Sequence, residues 1–500
     1  MMSSLFIGAT GMKAHSEGMG VVANNLSNVN TVGFKQTMTM YQDLISRVEM
    51  SRSNFITNLS QSGMGACVGE TRKIFTEGGF ENGSEPTDIA ISGIGFYGVT
   101  HNGETQYTRA GNFRFTKEGE LVDPGGWNVL GRLFKNGVES TNPEPITLDF
   151  STGPGGIGRI DGKATRNLSV YTQLGGLEDK HSDPANPYFA MAAAWDGTQT
   201  PPLAAYGYRE PITIYDNNGN ARQASIYYDY VDKQGGVQVM EYVVAVDPAD
   251  DAANAGSKGA GLLMAGTMSF SSTNQLINVT GFNFSGSDPA NLSSYTAAPL
   301  VNGVPAFTAN LTGSGTQTVA LDMGLSLTGS DAGGGYASAA AATASPGDLY
   351  DPASGATRAS RASTAYGTKP AEVFLNNDGY AEGYLRGLTV GQDGVMTGSY
   401  SNGQTLDLAR ISLYRFTSQD GLHREGSNRF SATAESGEAQ EGVPGTENFG
   451  KLAEYTLEQS NVDYAREFAT MIVTQRGFQM NGKVITTSDQ MLQKALELKR

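Results

Sequence analysis

The chain of 500 residues contains one cysteine, Cys67. That excludes an intramolecular disulfide and any multi-cysteine metal site, and leaves a small buried or half-buried residue or an intermolecular bridge. Its four histidines, His15, His101, His181 and His423, are scattered over distant segments without HExxH, His/Cys pairing or zinc spacing. Positive charge is scarce: 34 Lys and Arg against 50 Asp and Glu give a formal charge of -16 and a pI near 4.8. With no Lys/Arg run, nucleic acid and anionic membrane are poor partners, because both need clustered cations. No run approaches the roughly 18 to 20 apolar residues of a membrane-spanning helix, so membrane insertion is not expected. The opening MMSSLFIGATGMKAHSEGMG has no basic region ahead of its apolar residues, which makes it a poor cleavable secretory signal. Composition alone points to the cytoplasm.

Signs of catalysis are equally sparse. SGIGFYG (residues 92–98) has spaced glycines but a β pattern around it and no following helix, so a phosphate cradle has no support. Gly-Ser-Gly at 313–315 lies in a low-complexity stretch rather than at a nucleophile elbow. DNNGN (216–220) and NNDG (376–379) are loosely like calcium loops, yet neither reaches the glutamate such a loop needs. Both sit between alternating apolar runs and read as hairpin turns. No catalytic residue, metal ligand or cofactor is assigned, and the chain reads as a non-enzyme.

What is present is helical periodicity at the two ends. Leu5, Ala9, Met12, Ser16, Met19, Ala23, Leu26 and Asn30 recur at alternating steps of four and three, a heptad seam on one helix face. Tyr464, Phe468, Met471, Gln475, Phe478, Gly482, Ile485, Asp489, Leu492 and Leu496 do the same near the C-terminus. A single stripe cannot be buried by its own helix, so the terminal helices are expected to pack on each other or on other copies. Ser460, three residues before Asp463, reads as the start of a capping box. Lys494, Lys499 and Arg500 favour the negative end of that helix's dipole. In the first helix Gly8, Gly11, Gly18 and Gly20 each cost about 1 kcal/mol relative to Ala, so it needs a partner before it orders.

Between the ends, segments such as QYTRAGNFRFTKEGELVD (106–123) and ITIYDNNGNARQASIYYDYV (212–231) alternate and break at Asn-Gly, Glu-Gly or Gly-Asn, the pattern of antiparallel hairpins. The 65 glycines suit such turns. From about 247 to 369 the chain becomes rich in Ala, Gly, Ser and Thr, either a further small β domain or a partly mobile insertion. Alternation around 317–327 favours the domain.

The segment NNLSNVNTVGFK sets Asn24, Asn25, Asn28 and Asn30 beside an apolar stripe, then Thr31, Gly33, Phe34 and Lys35. Short amides there can satisfy backbone groups and fix register, and Gly33 suits a positive φ. This segment resembles the N-terminal signature of the bacterial flagellar rod and hook proteins, and LEQSNVDYAREFATMIVTQRGFQMNGKVITTSDQMLQKALELK (457–499) resembles their C-terminal one. Residues 78–99, 108–131 and 376–416 are similar to the outer β domain of the hook-type members. Tyr97-Gly98 departs from it, since the family usually has a bulky apolar residue there.

The resemblance implies a multidomain, mainly β protein with paired, coiled-coil-like terminal helices and nested antiparallel β domains between them. Its expected divisions are 1–32 with 456–500 as a helical assembly domain, and 33–90 with 440–455 as an extended connection. Residues 91–150 with 370–439 form an inner β domain and 151–369 the outer β part, with 251–343 as the variable insertion. It implies a flagellar hook subunit that self-assembles into a curved tube transmitting torque from rod to filament. A distal rod or hook-filament junction protein is the alternative, and a secreted β-rich adhesin or glycan-acting protein a more distant one. The implied partners are its own copies, rod, hook cap and junction proteins and the flagellar export apparatus. Export without a cleaved signal places it outside the cell, in place of the cytoplasmic reading, with its ends unfolded until assembly. Leu5, Met12, Met19, Leu26, Tyr464, Phe468, Met471, Phe478, Ile485, Leu492 and Leu496 are the expected assembly interface.

Overall fold

The computed structural model describes residues 2–497 apart from 54–55, 136, 154, 182–186, 368 and 447, with the backbone alone at 2, 47–53 and 56–62. Lys499 and Arg500, and with them the charge placement expected at the helix end, lie outside the described residues. The chain divides into two compact units, Met1–Gly158 with Leu385–Arg500, and Arg159–Tyr384.

The first unit holds both long helices, Met2–Ser27 and Tyr464–Glu497, which pack on each other within one chain. Asp463, not Ser460, caps the second: its carboxylate accepts from the amide of Arg466 at 3.1 Å, while Ser460 accepts only from Val462. Outgoing and returning segments are zipped together. Phe80–Asn82 pairs with Thr456–Glu458, and Ile89–Ser92 with Lys451–Glu454, both antiparallel. Beyond them Phe96–His101 pairs with Glu104–Thr108, Asn128–Lys135 and Leu413–Arg415, and the sheet continues through Thr405–Ile411 and Val395–Tyr400. Ile91, Tyr97, Val129, Met396, Ile411 and Leu413 lie in its core. The Tyr97-Gly98 departure has a packing reason: a Cβ on Gly98 would lie 2.4 Å from the Tyr414 ring, so glycine leaves room for it.

The second unit is built on two large sheets. One runs Tyr208–Tyr215, Ala221–Gln234, Val237–Val246, Leu262–Phe270, with shorter strands beyond. The other contains Val304–Leu311, Gly315–Asp322, Asn167–Gln173 and Ala371–Asn377. Alternate residues of the first sheet face different cores, as the strand period requires: Tyr228, Met240 and Tyr242 meet Phe307, Val319 and Leu321 of the second sheet, while Tyr227, Val239 and Val243 pack with Phe189, Trp195 and Phe282. Every residue of Leu262–Phe270 is therefore buried.

Two sequence expectations change here. Residues 251–343 supply four strands to one sheet, Leu262–Phe270 in its interior among them, and three strands to the other, so they have no core separate from the rest of the unit. The Asp216–Asn220 segment does turn a hairpin between Tyr208–Tyr215 and Ala221–Gln234. Asn376–Gly379 does not: Ala371–Asn377 pairs with Asn167–Gln173, and the Asp378 carboxylate accepts from the amides of Arg166 and Asn167. A local sequence read cannot distinguish a turn between paired neighbours from one whose strands pair elsewhere.

Candidate functional site

The helix pair is built on small residues. A Cβ on Gly8 would lie 2.8 Å from the Ile485 side chain, one on Gly11 2.6 Å from the Asn481 amide, and one on Gly477 2.7 Å from the His15 ring. Ser4 and Ser488 hydroxyls are 3.2 Å apart across the same contact. Glycine here permits a backbone approach that a methyl group would prevent. The contact face of the first helix thus runs Ser4, Gly8, Gly11 and His15, one residue earlier than the expected stripe, while further along the same helix Gly18 faces the Tyr41 ring.

The opposing helix turns Glu467, Met471, Thr474, Asn481, Ile485 and Ser488 inward. Leu5, Met12, Met19, Leu26, Met471, Ile485 and Leu492 are half-buried. Tyr464, Phe468, Phe478 and Leu496 are not brought into the contact and stay 60%, 45%, 40% and 68% exposed. The small residues bring the backbones together, and the larger side chains are left at the flanks. Elsewhere on the same helix Val473, Met480, Val484 and Met491 form a second stripe at heptad spacing, all exposed, Val473 and Met480 by 68% and 71%. Large apolar side chains at such density mark an interaction surface.

At the foot of the helices the amides of the opening motif do separate work. Asn25 is buried and holds Thr37 from both sides: its Nδ2 donates to the Thr37 carbonyl at 2.7 Å and its Oδ1 accepts from the Thr37 amide at 3.0 Å. Asn28 closes the helix end, donating to the Asn24 carbonyl and accepting from the Thr31 hydroxyl. Asn30 is exposed. Gly33 has φ +67° and its amide donates to the Glu458 carbonyl at 2.7 Å; a Cβ there would also strike the backbone of Ala110 at 2.6 Å. Phe34 is buried beside it.

Lys35 then enters a buried ion cluster. Its Nζ lies 2.6 Å from Glu458 Oε1 and donates to the Thr76 carbonyl, while Arg109 Nε lies 2.9 Å from Glu458 Oε2. Arg109 also donates to the carbonyls of Ile91, Gly93 and Gly95, and the Gly78 amide donates to Glu458. Burial works to raise the Glu458 carboxyl, but Arg109 and then Lys35 outweigh it and hold its pKa below the ordinary value. Burial lowers the pKa of Lys35 despite the pull of Glu458. Asn461 completes the tie: its Oδ1 accepts from the Gln36 amide at 2.7 Å and its Nδ2 donates to the Ile74 carbonyl at 2.8 Å. Arg109, Glu458 and Asn461 all lie inside the quoted motifs, but their roles were not read from them. Among the described residues no group of three or more His, Cys, Asp or Glu could hold a metal ion.

The joined segments are those that comparison with known families picks out. A model described as flagella basal body rod protein matches 5–35, and one described as flagellar basal body rod FlgEFG protein C-terminal matches 453–498. Flagellar hook protein FlgE/F/G D1 domain matches 90–157, and flagellar basal body protein FlaE D2 domain matches 183–380. The flagellar hook protein FlgE of Treponema pallidum is 30% identical over 509 residues, covering 100% of both chains. The chain belongs to the flagellar hook protein family. Hook proteins of Borreliella burgdorferi, 29% identical over 512 residues with 100% of both chains covered, and of Salmonella typhimurium, 28% over 499 with 98% of each, extend the likeness. Family membership makes this hook protein a structural component of the flagellum, with a mainly β body and paired terminal helices.

Proposed function

We propose that this hook subunit polymerises with its own copies into the curved tube between rod and filament, and that the outer flanks of its helix pair are the surface through which copies meet. The observation that carries this is the exposed apolar character of Tyr464–Glu497. One face is already used within the chain, and Phe468, Phe478, Val473, Met480, Val484 and Met491 remain open to a partner. A tube that grows without closing needs two different surfaces on each subunit, and a helix apolar on more than one side supplies them. The helix pair forms the inner tube, and β surfaces rich in Ala, Gly, Ser and Thr suit sliding contacts as the hook bends and transmits torque.

The buried cluster of Lys35, Arg109 and Glu458 fixes the angle at which the chain leaves the helices for the β body, so that force on one passes to the other. Rod, hook cap and junction proteins are its neighbours in this reading. The export apparatus delivers it without a cleaved signal, and the glycine-rich first helix orders against Tyr464–Glu497 after passage. Electron microscopy of cells lacking the protein tests the assignment: rods ending without hooks are expected, and hooks of normal form would overturn it.

A further inference from the structure

Beside the end of the first helix lies a cavity of about 210 Å³, lined among others by Asn24, Asn28, Phe34, Lys73, Arg424 and Arg429. It brings three cations to one place in a chain whose formal charge is -16. Arg429 is already neutralised, with its guanidinium 3.1 Å from the Asp123 carboxylate. Arg424 donates to the Thr37 hydroxyl at 3.2 Å, and Lys73 donates to the Lys35 carbonyl at 2.6 Å while lying 4.5 Å above the Phe34 ring. Among the described residues neither Lys73 nor Arg424 has a carboxylate within ion-pair distance. Burial first, then Arg424 and Lys35 nearby, push the Lys73 pKa down to about 7, as expected of a cation crowded by like charge. An anion in the cavity would relieve that crowding.

The rim is fixed rather than loose. Ser427 and Asn428 turn the chain with φ of 48° and 59° between His423–Gly426 and Arg429–Ser431, and the Asn428 amide donates to the Val32 carbonyl at 2.8 Å. Asn28 is tied into the helix end, while the exposed side-chain amide of Asn24 has no hydrogen-bond partner among the described residues. A guanidinium fork, an ammonium and a free amide around a small opening fit a carboxylate, which accepts from all three.

We propose that this cavity receives an Asp or Glu side chain from a neighbouring copy of the chain on assembly. A second copy fits the chemistry because the chain's own surface has acidic groups in excess and the cavity is a cationic exception. This rests on the self-assembly reading above, and charge pairing of this kind sets register and approach between copies more than bulk affinity.

The test is the critical concentration for polymerisation of the full chain, measured by sedimentation, for wild type, Arg424→Gln and Lys73→Met. Each is measured in sodium chloride and in sodium acetate of equal ionic strength. Arg424 is exposed, so its replacement leaves the monomer folded, which circular dichroism checks. Both variants are expected to raise the critical concentration about tenfold, an effect of the size expected for a lost charge pair. Acetate is expected to raise it for wild type but not for Arg424→Gln. Variants that assemble at the wild-type concentration, with the same acetate response, would overturn the proposal. Wild-type chain that forms no polymer would instead overturn the self-assembly reading on which it stands.

Discussion

Glu458→Gln removes the one negative charge from a cluster whose two cations stay buried. Side-chain exposure at the two ion pairs is 0% for Lys35, 4% for Arg109 and 0% for Glu458, so water cannot replace the lost carboxylate. Breaking a buried pair by removing one partner costs about 3–5 kcal/mol, because the remaining charge is uncompensated. The carbonyls around Arg109 and Lys35 soften that loss and favour the lower end. For a unit of this size each kcal/mol moves the midpoint by about 2–4 °C, so the melting transition of the helix-bearing unit falls by about 6–12 °C. Calorimetry of the full chain contains its own control, since the transition of Arg159–Tyr384 stays where it is. The same cluster sets a pH dependence. A carboxyl whose folded pKa lies below its unfolded value stabilises the fold above the unfolded value, near 4.3 for Glu, and loses that contribution as pH falls through the folded one. Wild type should therefore lose more stability than Glu458→Gln between about pH 5 and pH 3. A midpoint within about 2 °C of wild type at pH 7 would refute the view that the cluster holds the junction.

Gly11→Val places a branched side chain where the Asn481 amide already stands, and should separate the helices at a cost of about 1–3 kcal/mol, seen as lost helical ellipticity. Phe478→Asp should leave the monomer's melting curve unchanged, because Phe478 is 40% exposed there, yet abolish polymer in sedimentation. Removing 159–384 and joining Gly158 to Leu385 should give a folded first unit that still assembles, because the Leu385 amide already donates to the Gly158 carbonyl at 3.0 Å. Removing only 251–343 takes Leu262–Phe270 from the middle of a sheet and should unfold the Arg159–Tyr384 unit, which proteolysis would report.

The pairing of the ends was legible in the sequence because a heptad stripe at each terminus leaves few other ways to bury both. Its register was not. Reading the stripe from the largest apolar residues chose Phe468 and Phe478, whereas the contact is set by the residues that let two backbones approach, Gly8, Gly11 and Gly477. Two of the glycines counted as a helical defect were the signal, since Gly8 and Gly11 stand three residues apart on one helix face and both meet the opposing helix. Asp463 and Ser460 show the usual limit on a cap, where two adequate side chains compete and only the backbone geometry decides. Turn chemistry identified Asp216–Asn220 as a hairpin, but the same chemistry at Asn376–Gly379 carried no information on which strands pair. The cluster of Lys35 with Glu458 was out of reach of any local pattern. Its members are 423 positions apart, and opposite charges at that separation are meaningful only after the sheet pairs 80–82 with 456–458.

Hydroxyl-radical oxidation of Met480 and Met491, compared between monomer and assembled polymer, tests most directly whether the open flank of the C-terminal helix is where copies meet. Both side chains, 71% and 52% exposed in the single chain, should oxidise readily in the monomer and become protected about tenfold or more in the polymer, as burial in an interface core requires. Equal oxidation in both states would contradict the account.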